Sequence, residues 1–309
     1  MSHVIVESAS PIGTFAPFGE FDESLFDSEP QGGRIQAVGV DSGATLIKIC
    51  VRRADESLHF ATWASPSRDR IVDALERLNP EWIGLTGCGS ADLAPLVSRP
   101  ASNPIEFDAW GRGANEMLRR LGEDNGAPYL LVAIGTGTSM LRVEGESVER
   151  VGGTALGGGS ALGLGLALTG ARSPEELNAL ALSGARQNVD LMVTDLFENA
   201  ADVGAVIASS FGKLARGVNQ NDATATPPTA CDLAAAALGI VSDNIGLLAT
   251  AHAKGAGVDR VVYGGSTLLV HPQIGDVMRG FGLIMGHETV ILPQGGHTGS
   301  LGAMLMGSS

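Results

Sequence analysis

The side chains with the type and setting to do chemistry are few, and they sit among glycines. Asp41 closes the apolar run Ala37 to Val40. Ser42-Gly43-Ala44-Thr45 follows, then a second apolar run from Leu46 to Val51 that carries Lys48. An aspartate at a strand end beside a glycine turn can hold Mg²⁺ through water while turn amides take phosphate oxygens. The same Asp-x-Gly composition also makes an ordinary hairpin turn. Glu106 lies between Ile105 and Phe107 at an expected strand-to-helix junction. A carboxylate flanked by apolar residues inside a cleft can accept a proton from a hydroxyl. Asp108, at the same junction, suits a helix N-terminal cap. Arg150 precedes Gly152-Gly153; its guanidinium is a planar, two-pronged donor for an anionic substrate. His297 follows Gly295-Gly296 without HxxxH-type spacing, and we assign it no chemistry.

The densest glycines run from 128 to 170. An apolar strand, Leu130 to Ile134, enters Gly135-Thr136-Gly137-Thr138-Ser139, and a second leaves as Met140 to Val143. Gly157-Gly158-Gly159-Ser160 follows, in a window from Val151 to Ala171 without a charged side chain. Glycines this dense let the backbone approach a ligand and turn N–H groups toward phosphate. They also suit a Gly/Ala packing segment. Setting Gly43 against Gly137 aligns VGVDSGATL with VAIGTGTSM, two strand–turn–strand units 94 residues apart. Asp41 falls opposite Gly135, so only one turn has a carboxylate. That asymmetry fits one nucleotide gripped from two sides, with metal on one turn and bare phosphate on the other.

The elements that must position these residues follow from pattern and punctuation. The 309 residues suit one large domain or two lobes. A mean hydropathy of +0.17 describes a soluble globular chain. The net charge of −14, without a Lys/Arg cluster, argues against nucleic acid or an anionic membrane as partner. Cys50, Cys88 and Cys231 are isolated, which fits a reduced cytoplasmic setting and no zinc or iron–sulfur site. The N-terminus lacks a signal-peptide pattern, and the glycines of 151–171 would break a lipid-exposed helix.

Residues 1–33 hold six acids, no Lys or Arg and three prolines. They read as an acidic extension, poorly structured or laid over the surface, outside the catalytic core. Residues 34–125 read as an N-terminal lobe and 126–309 as a C-terminal lobe. Periodicity predicts helices over Asp69–Leu78, Ala109–Leu121, Val189–Phe197, Cys231–Ala253, Ile274–Met285 and Leu301–Met306. A short helical segment is expected near Ala91–Val97. Ser173-Pro174-Glu175-Glu176 is a capping box opening a helix to Leu182. Trp82–Thr86, Arg260–Tyr263 and Val290–Leu292 read as strands, Ser209–Gly212 as a bend between helices, and 218–228 as a loop. Gly264-Gly265-Ser266-Thr267 is a third glycine turn, suited to an adenine or ribose.

The blocks VGVDSGATLIKI, IEFDA, IGTGTS, ERVGGTALGGGSALGLG, SSFG, VYGGSTL and GGHTGSLGAML, in that order, resemble type II pantothenate kinases. The resemblance spans roughly 36–306. It implies an α/β, actin-like fold of the ASKHA (ribonuclease H-like) kind, two lobes with ATP in the cleft. It implies Mg-ATP-dependent phosphorylation of pantothenate at the start of coenzyme A synthesis, usually by a homodimer. Position by position, Glu106 corresponds to the catalytic base, and Thr136 and Arg150 to substrate contacts. Gly43, Ala44, Thr45, Leu46 and Lys48, with Thr136, Gly158, Gly159 and Ser160, correspond to phosphate-binding segments. Ser266 corresponds to the adenosine side, and Asp41 to the carboxylate that positions Mg²⁺. Acyl-CoA thioesters are a candidate feedback ligand. The acidic extension and Gly87-Cys88-Gly89-Ser90 depart from the family pattern.

Two other functions share these features. An amino-sugar kinase of the same fold would keep both phosphate hairpins, although the Cys/His zinc motif common in bacterial sugar kinases is missing here. A pseudokinase acting as a regulatory subunit would bind nucleotide without turnover. Retention of Asp41, Glu106 and Arg150 together argues against it.

Overall fold

The structure is a computed structural model that describes residues 8–15, 34–64, 68–98, 101–197, 206–215 and 227–307. The acids of the N-terminal extension and residues 218–226 of the expected loop lie outside the described residues. The first sheet contains β1 (Ser8–Ala9), β2 (Thr14–Phe15), β3 (Ile35–Ser42), β4 (Leu46–Arg53) and β5 (Leu58–Ala64). Helix α1 (Arg68–Leu78) leads to β6 (Trp82–Thr86), and the short α2 (Ser90–Leu93) to β7 (Ala101–Ser102). Helix α3 (Glu106–Leu121) then crosses to the second sheet.

That sheet opens with β8 (Tyr129–Ile134), β9 (Thr138–Glu144) and β10 (Ser147–Thr154). Helices α4 (Gly158–Thr169) and α5 (Pro174–Leu182) follow, then a two-stranded ribbon of β11 (Leu191–Met192) and β12 (Ile207–Ser209). The 26-residue α6 (Ala230–Gly255) leads to β13 (Arg260–Gly264), the short α7 (Thr267–Val270), α8 (Gln273–Met285) and β14 (Glu288–Ile291). The last helix is α9 (Thr298–Gly307).

The two sheets repeat one topology. The first contains the order β5-β4-β3-β6-β7 and the second is β10-β9-β8-β13-β14. In each, three strands meander antiparallel, and two parallel strands extend the far side of the first. The duplicated hairpins are thus the leading hairpins of two equivalent sheets. Strand β8, YLLVAI, is buried at every position, as its unbroken apolar run requires of a central strand.

Helices α3 and α9 lie between the sheets. Ala114 and Met117 of α3 and Leu301 and Met304 of α9 share one core with Ala37 and Cys50 of the first sheet and Leu131 and Leu141 of the second. A Cβ on Gly302 would stand 1.7 Å from the Ala109 carbonyl oxygen. Only glycine lets these helices approach so closely, and α3 is the helix that carries Glu106. Helix α6 is long and apolar enough to cross a membrane, but 61% of its apolar window is buried inside the protein, where it backs the second sheet.

Four expectations are corrected. Part of the acidic extension belongs to the sheet, because β2 pairs in parallel with β5 and Ile12 and Phe15 enter the core. Val189–Phe197 is not an α-helix: it holds strand β11 and one 3-10 turn, Val193–Asp195. Asp190, fully buried, pairs with Arg186 and accepts from the Phe211 N–H, while Met192 N–H donates to Asp195. Such side-chain bonds offer the backbone an alternative to the helix ladder. The expected bend at Ser209–Gly212 includes the end of strand β12 and a left-handed Phe211, φ 58°. Helix α3 starts at Glu106, three residues early, and ends at left-handed Gly122. Its N-cap is Ile105, so Asp108 is a first-turn acid rather than the cap.

Candidate active site

The leading turns of the two sheets face each other. Thr45 Oγ1 lies 3.2 Å from Thr136 Oγ1, joining the β3–β4 turn to the β8–β9 turn. A cavity of about 650 Å³ opens beside this contact, within the range of small-molecule sites. One wall is the β3–β4 hairpin, with Asp41, Gly43, Ala44, Thr45, Leu46 and Lys48. The opposite wall is the β8–β9 turn, with Gly135, Thr136 and Gly137, backed by Gly158 and Gly159. Glu106, Arg150 and Ser266 complete the lining. Of the residues assigned to the site by the family resemblance, Ser160 alone does not line it.

Asp41 and Lys48 are register partners across β3 and β4, and Lys48 Nζ approaches Asp41 Oδ2 at 3.4 Å. Asp41 is 1% exposed. Burial pushes its carboxyl above the ordinary carboxylate range, while the Lys48 charge pulls it back. Among the described residues no group of three or more His, Cys, Asp or Glu side chains converges to cage a metal. One carboxylate beside a phosphate turn fits Mg²⁺ nonetheless, because that ion keeps several waters and takes further ligands from substrate phosphates.

Glu106 is the first residue of α3 and is half-buried. Burial raises its pKa, the Asp41 charge raises it further, and Lys48 opposes both. A carboxylate so raised holds a proton more readily than a free glutamate, which suits a general base. Arg150 lies on the edge strand β10 at a register shift before Gly152. Its guanidinium carbon stands 5.9 Å from the centre of the Phe107 ring, so base and cation flank the same turn of α3.

The glycine run works differently from its sequence reading. Gly158 N–H donates to the Gly135 carbonyl at 2.8 Å, and Gly159 N–H to that of Thr136 at 3.0 Å. These donors dock the start of α4 onto the turn instead of meeting a ligand, while the helix N-terminus still favours an anion in the cavity. Ser160 Oγ accepts from Gly157 N–H at 2.8 Å and donates back toward the Gly157 carbonyl at 3.1 Å. It caps its own helix. Thr267 secures the same turn, donating to the Gly135 carbonyl at 2.9 Å.

Thr267 lines the cavity as part of the third glycine turn, and Cys88 as part of the turn that departs from the family pattern. Trp110 was not singled out, and Pro174 and Glu175 were read only as a helix start. His271 belongs with them. It is 1% exposed, with Nδ1 3.4 Å from Asn178 Oδ1, and burial holds its pKa down to about 4 against the opposing charge of Glu175. His297, without assigned chemistry, packs tilted against the stacked pair Phe15 and Phe60 and is hydrogen-bonded to Thr62, away from the cavity lining.

Comparison with known proteins follows the same lines. The Fumble family model matches residues 105–306. Type II pantothenate kinases from Staphylococcus aureus strains MRSA252 and Mu50 are each 30% identical over 272 residues, covering 87% of this chain and 99% of theirs. Among solved structures, a ROK family glucokinase from Streptomyces griseus, in complex with glucose and AMPPNP, superposes with a TM-score of 0.57 at 14% identity. The superposition covers 88% of this chain and 98% of that one. The fold is therefore the actin-like one of these sugar kinases. With a family model over more than half its length and relatives aligned almost end to end, the chain belongs to the Fumble family of type II pantothenate kinases.

Proposed function

We propose that the chain is an ATP-dependent pantothenate kinase, transferring the γ-phosphoryl group to the substrate's primary hydroxyl. The observation that carries this reading is the convergence on one cavity of two glycine turns, the Asp41–Lys48 pair, Glu106 and Arg150. Glu106 accepts the hydroxyl proton as transfer proceeds, and its raised pKa fits that task. Arg150 pairs with substrate oxygens, and Thr136 sits where acceptor and phosphates meet. The turn Gly43–Leu46 and Lys48 face the phosphates, the start of α4 adds its dipole, and Ser266 lies on the adenosine side. Asp41 would hold Mg²⁺ through water. When bound, Mg²⁺ supplies positive charge to the phosphates, which is the main demand of phosphoryl transfer.

We also infer a homodimer and a cytoplasmic setting. Large apolar side chains are exposed on α4 (Leu166), α6 (Leu247) and α8 (Leu283, 85%, and Ile284, 80%), and α4 and α8 both pack against α6. The cysteines Cys50, Cys88 and Cys231 are all free, which agrees with a reducing compartment. A coupled ADP-release assay tests the function, with pantothenate, glucose and N-acetylglucosamine offered separately, each with and without acetyl-CoA. Turnover with pantothenate alone supports the reading. Turnover only with a sugar, or with none, removes it, and the acetyl-CoA arm reports feedback.

A further inference from the structure

Trp110 lies one turn beyond Glu106 on α3 and lines the cavity. Its indole Nε1–H is sealed from solvent and has no hydrogen-bond partner among the described residues. A buried donor left unpaired is costly, so such groups are normally met by protein, water or ligand. This donor lies near the buried carboxylate of Asp41. A Cβ built on Gly299 of α9 would stand 2.8 Å from Trp110 Nε1 and 2.8 Å from Asp41 Oδ2. The two atoms thus converge on a residue without a side chain and lie within ~6 Å of each other, the span of one bridging water. Lys48 reaches the same Oδ2 from the hairpin side at 3.4 Å.

We propose that Trp110 is a positioning residue for Asp41. Its N–H donates to a water that in turn donates to Asp41 Oδ2, along a corridor kept open because residue 299 is glycine. The water fixes the carboxylate plane from the helix side, as Lys48 does from the hairpin side, and leaves the remaining lone pairs of Asp41 for the hydrated Mg²⁺. Indole nitrogen only donates, so the order of the bonds is set: indole to water, water to carboxylate. The proposal rests on the reading of this cavity as a Mg-nucleotide site.

The test is calorimetric binding of AMPPNP to the full chain, with and without Mg²⁺, in the parent and in Trp110→Phe, which keeps an aromatic ring and removes the donor. The variant should bind metal-free AMPPNP within about twofold of the parent. It should lose about tenfold of the affinity that Mg²⁺ adds, the lower end for residues that orient a metal ligand. Trp110→Leu, which also removes the donor and leaves Asp41 uncrowded, should lose the metal-dependent gain in the same way, and carries the test if the Phe variant does not fold. An undiminished Mg²⁺ gain overturns the proposal. An equal loss with and without metal also overturns it, marking Trp110 as a packing residue. If the parent itself binds no AMPPNP, the nucleotide-kinase reading falls first and the proposal with it.

Discussion

Acidification from pH 7 to pH 5 should weaken this fold by about 4 kcal/mol through two histidines. His271 is 1% and His297 3% exposed. Burial, with the charge of Lys48 adding to it, holds the His297 pKa down to about 3. Burial holds that of His271 down to about 4, against Glu175. Each ring therefore stays neutral in the folded chain, whereas in the unfolded chain it takes up a proton near its ordinary 6.5. The unfolded state binds more protons, so the stabilisation is complete above the unfolded pKa and is lost as pH falls toward the folded values. Linkage gives each histidine about 2 kcal/mol over this interval, a large share of a typical 5–15 kcal/mol. Glu106 and Asp41 act in the opposite sense, since burial raises both and protonation relieves their penalty. Comparing variants removes that contribution. Urea denaturation of the parent and of the double variant His271→Gln/His297→Gln, each at pH 7 and pH 5, measures the difference. The parent should lose about 4 kcal/mol more than the variant. Equal losses would refute the argument.

Three further outcomes can be measured. Arg150→Ala should raise the pantothenate KM while leaving the ATP KM near the parent value; an unchanged pantothenate KM removes Arg150 from acceptor binding. The acid limb of the kcat/KM profile should lie above 4.5, the ordinary value for a glutamate, because Glu106 must be ionised to act and its pKa is raised. A limb at or below that value contradicts Glu106 as base. Gly302→Ala should destabilise the protein by about 1–3 kcal/mol, since its Cβ would meet the Ala109 carbonyl and force α3 and α9 apart. An unchanged melting temperature would show that the contact is not tight.

What the sequence reveals here is what local pattern controls. The two glycine hairpins are legible because apolar runs and turn residues lie together in the chain, and their 94-residue offset matches the repeat of the two sheets. Asp41, Glu106 and Arg150 are legible as charges in glycine-rich or apolar settings. Features that depend on distant partners are not. Asp190 is tied to a segment 21 residues on, where the Phe211 N–H donates to it, a contact no local pattern announces. Phe15 looks like part of a polar tail until β5 supplies a partner and Phe60 stacks on it at 4.6 Å. Gly158 and Gly159 have the composition of a phosphate cradle, yet their amides are taken by carbonyls of a turn more than twenty residues earlier. Trp110 reads as one more apolar helical position, and only the approach of Gly299 gives its N–H a direction.

The most direct measurement is phosphorus NMR of pantothenate incubated with Mg-ATP and the chain, run beside the Glu106→Gln variant. The parent should convert pantothenate to a phosphomonoester with one ADP per product. The variant should slow this by at least ~100-fold, the usual scale for losing a general base, while its AMPPNP affinity stays at the parent level. ADP formed without phosphopantothenate, or a Gln variant that turns over as fast as the parent, would contradict the assignment of this cavity.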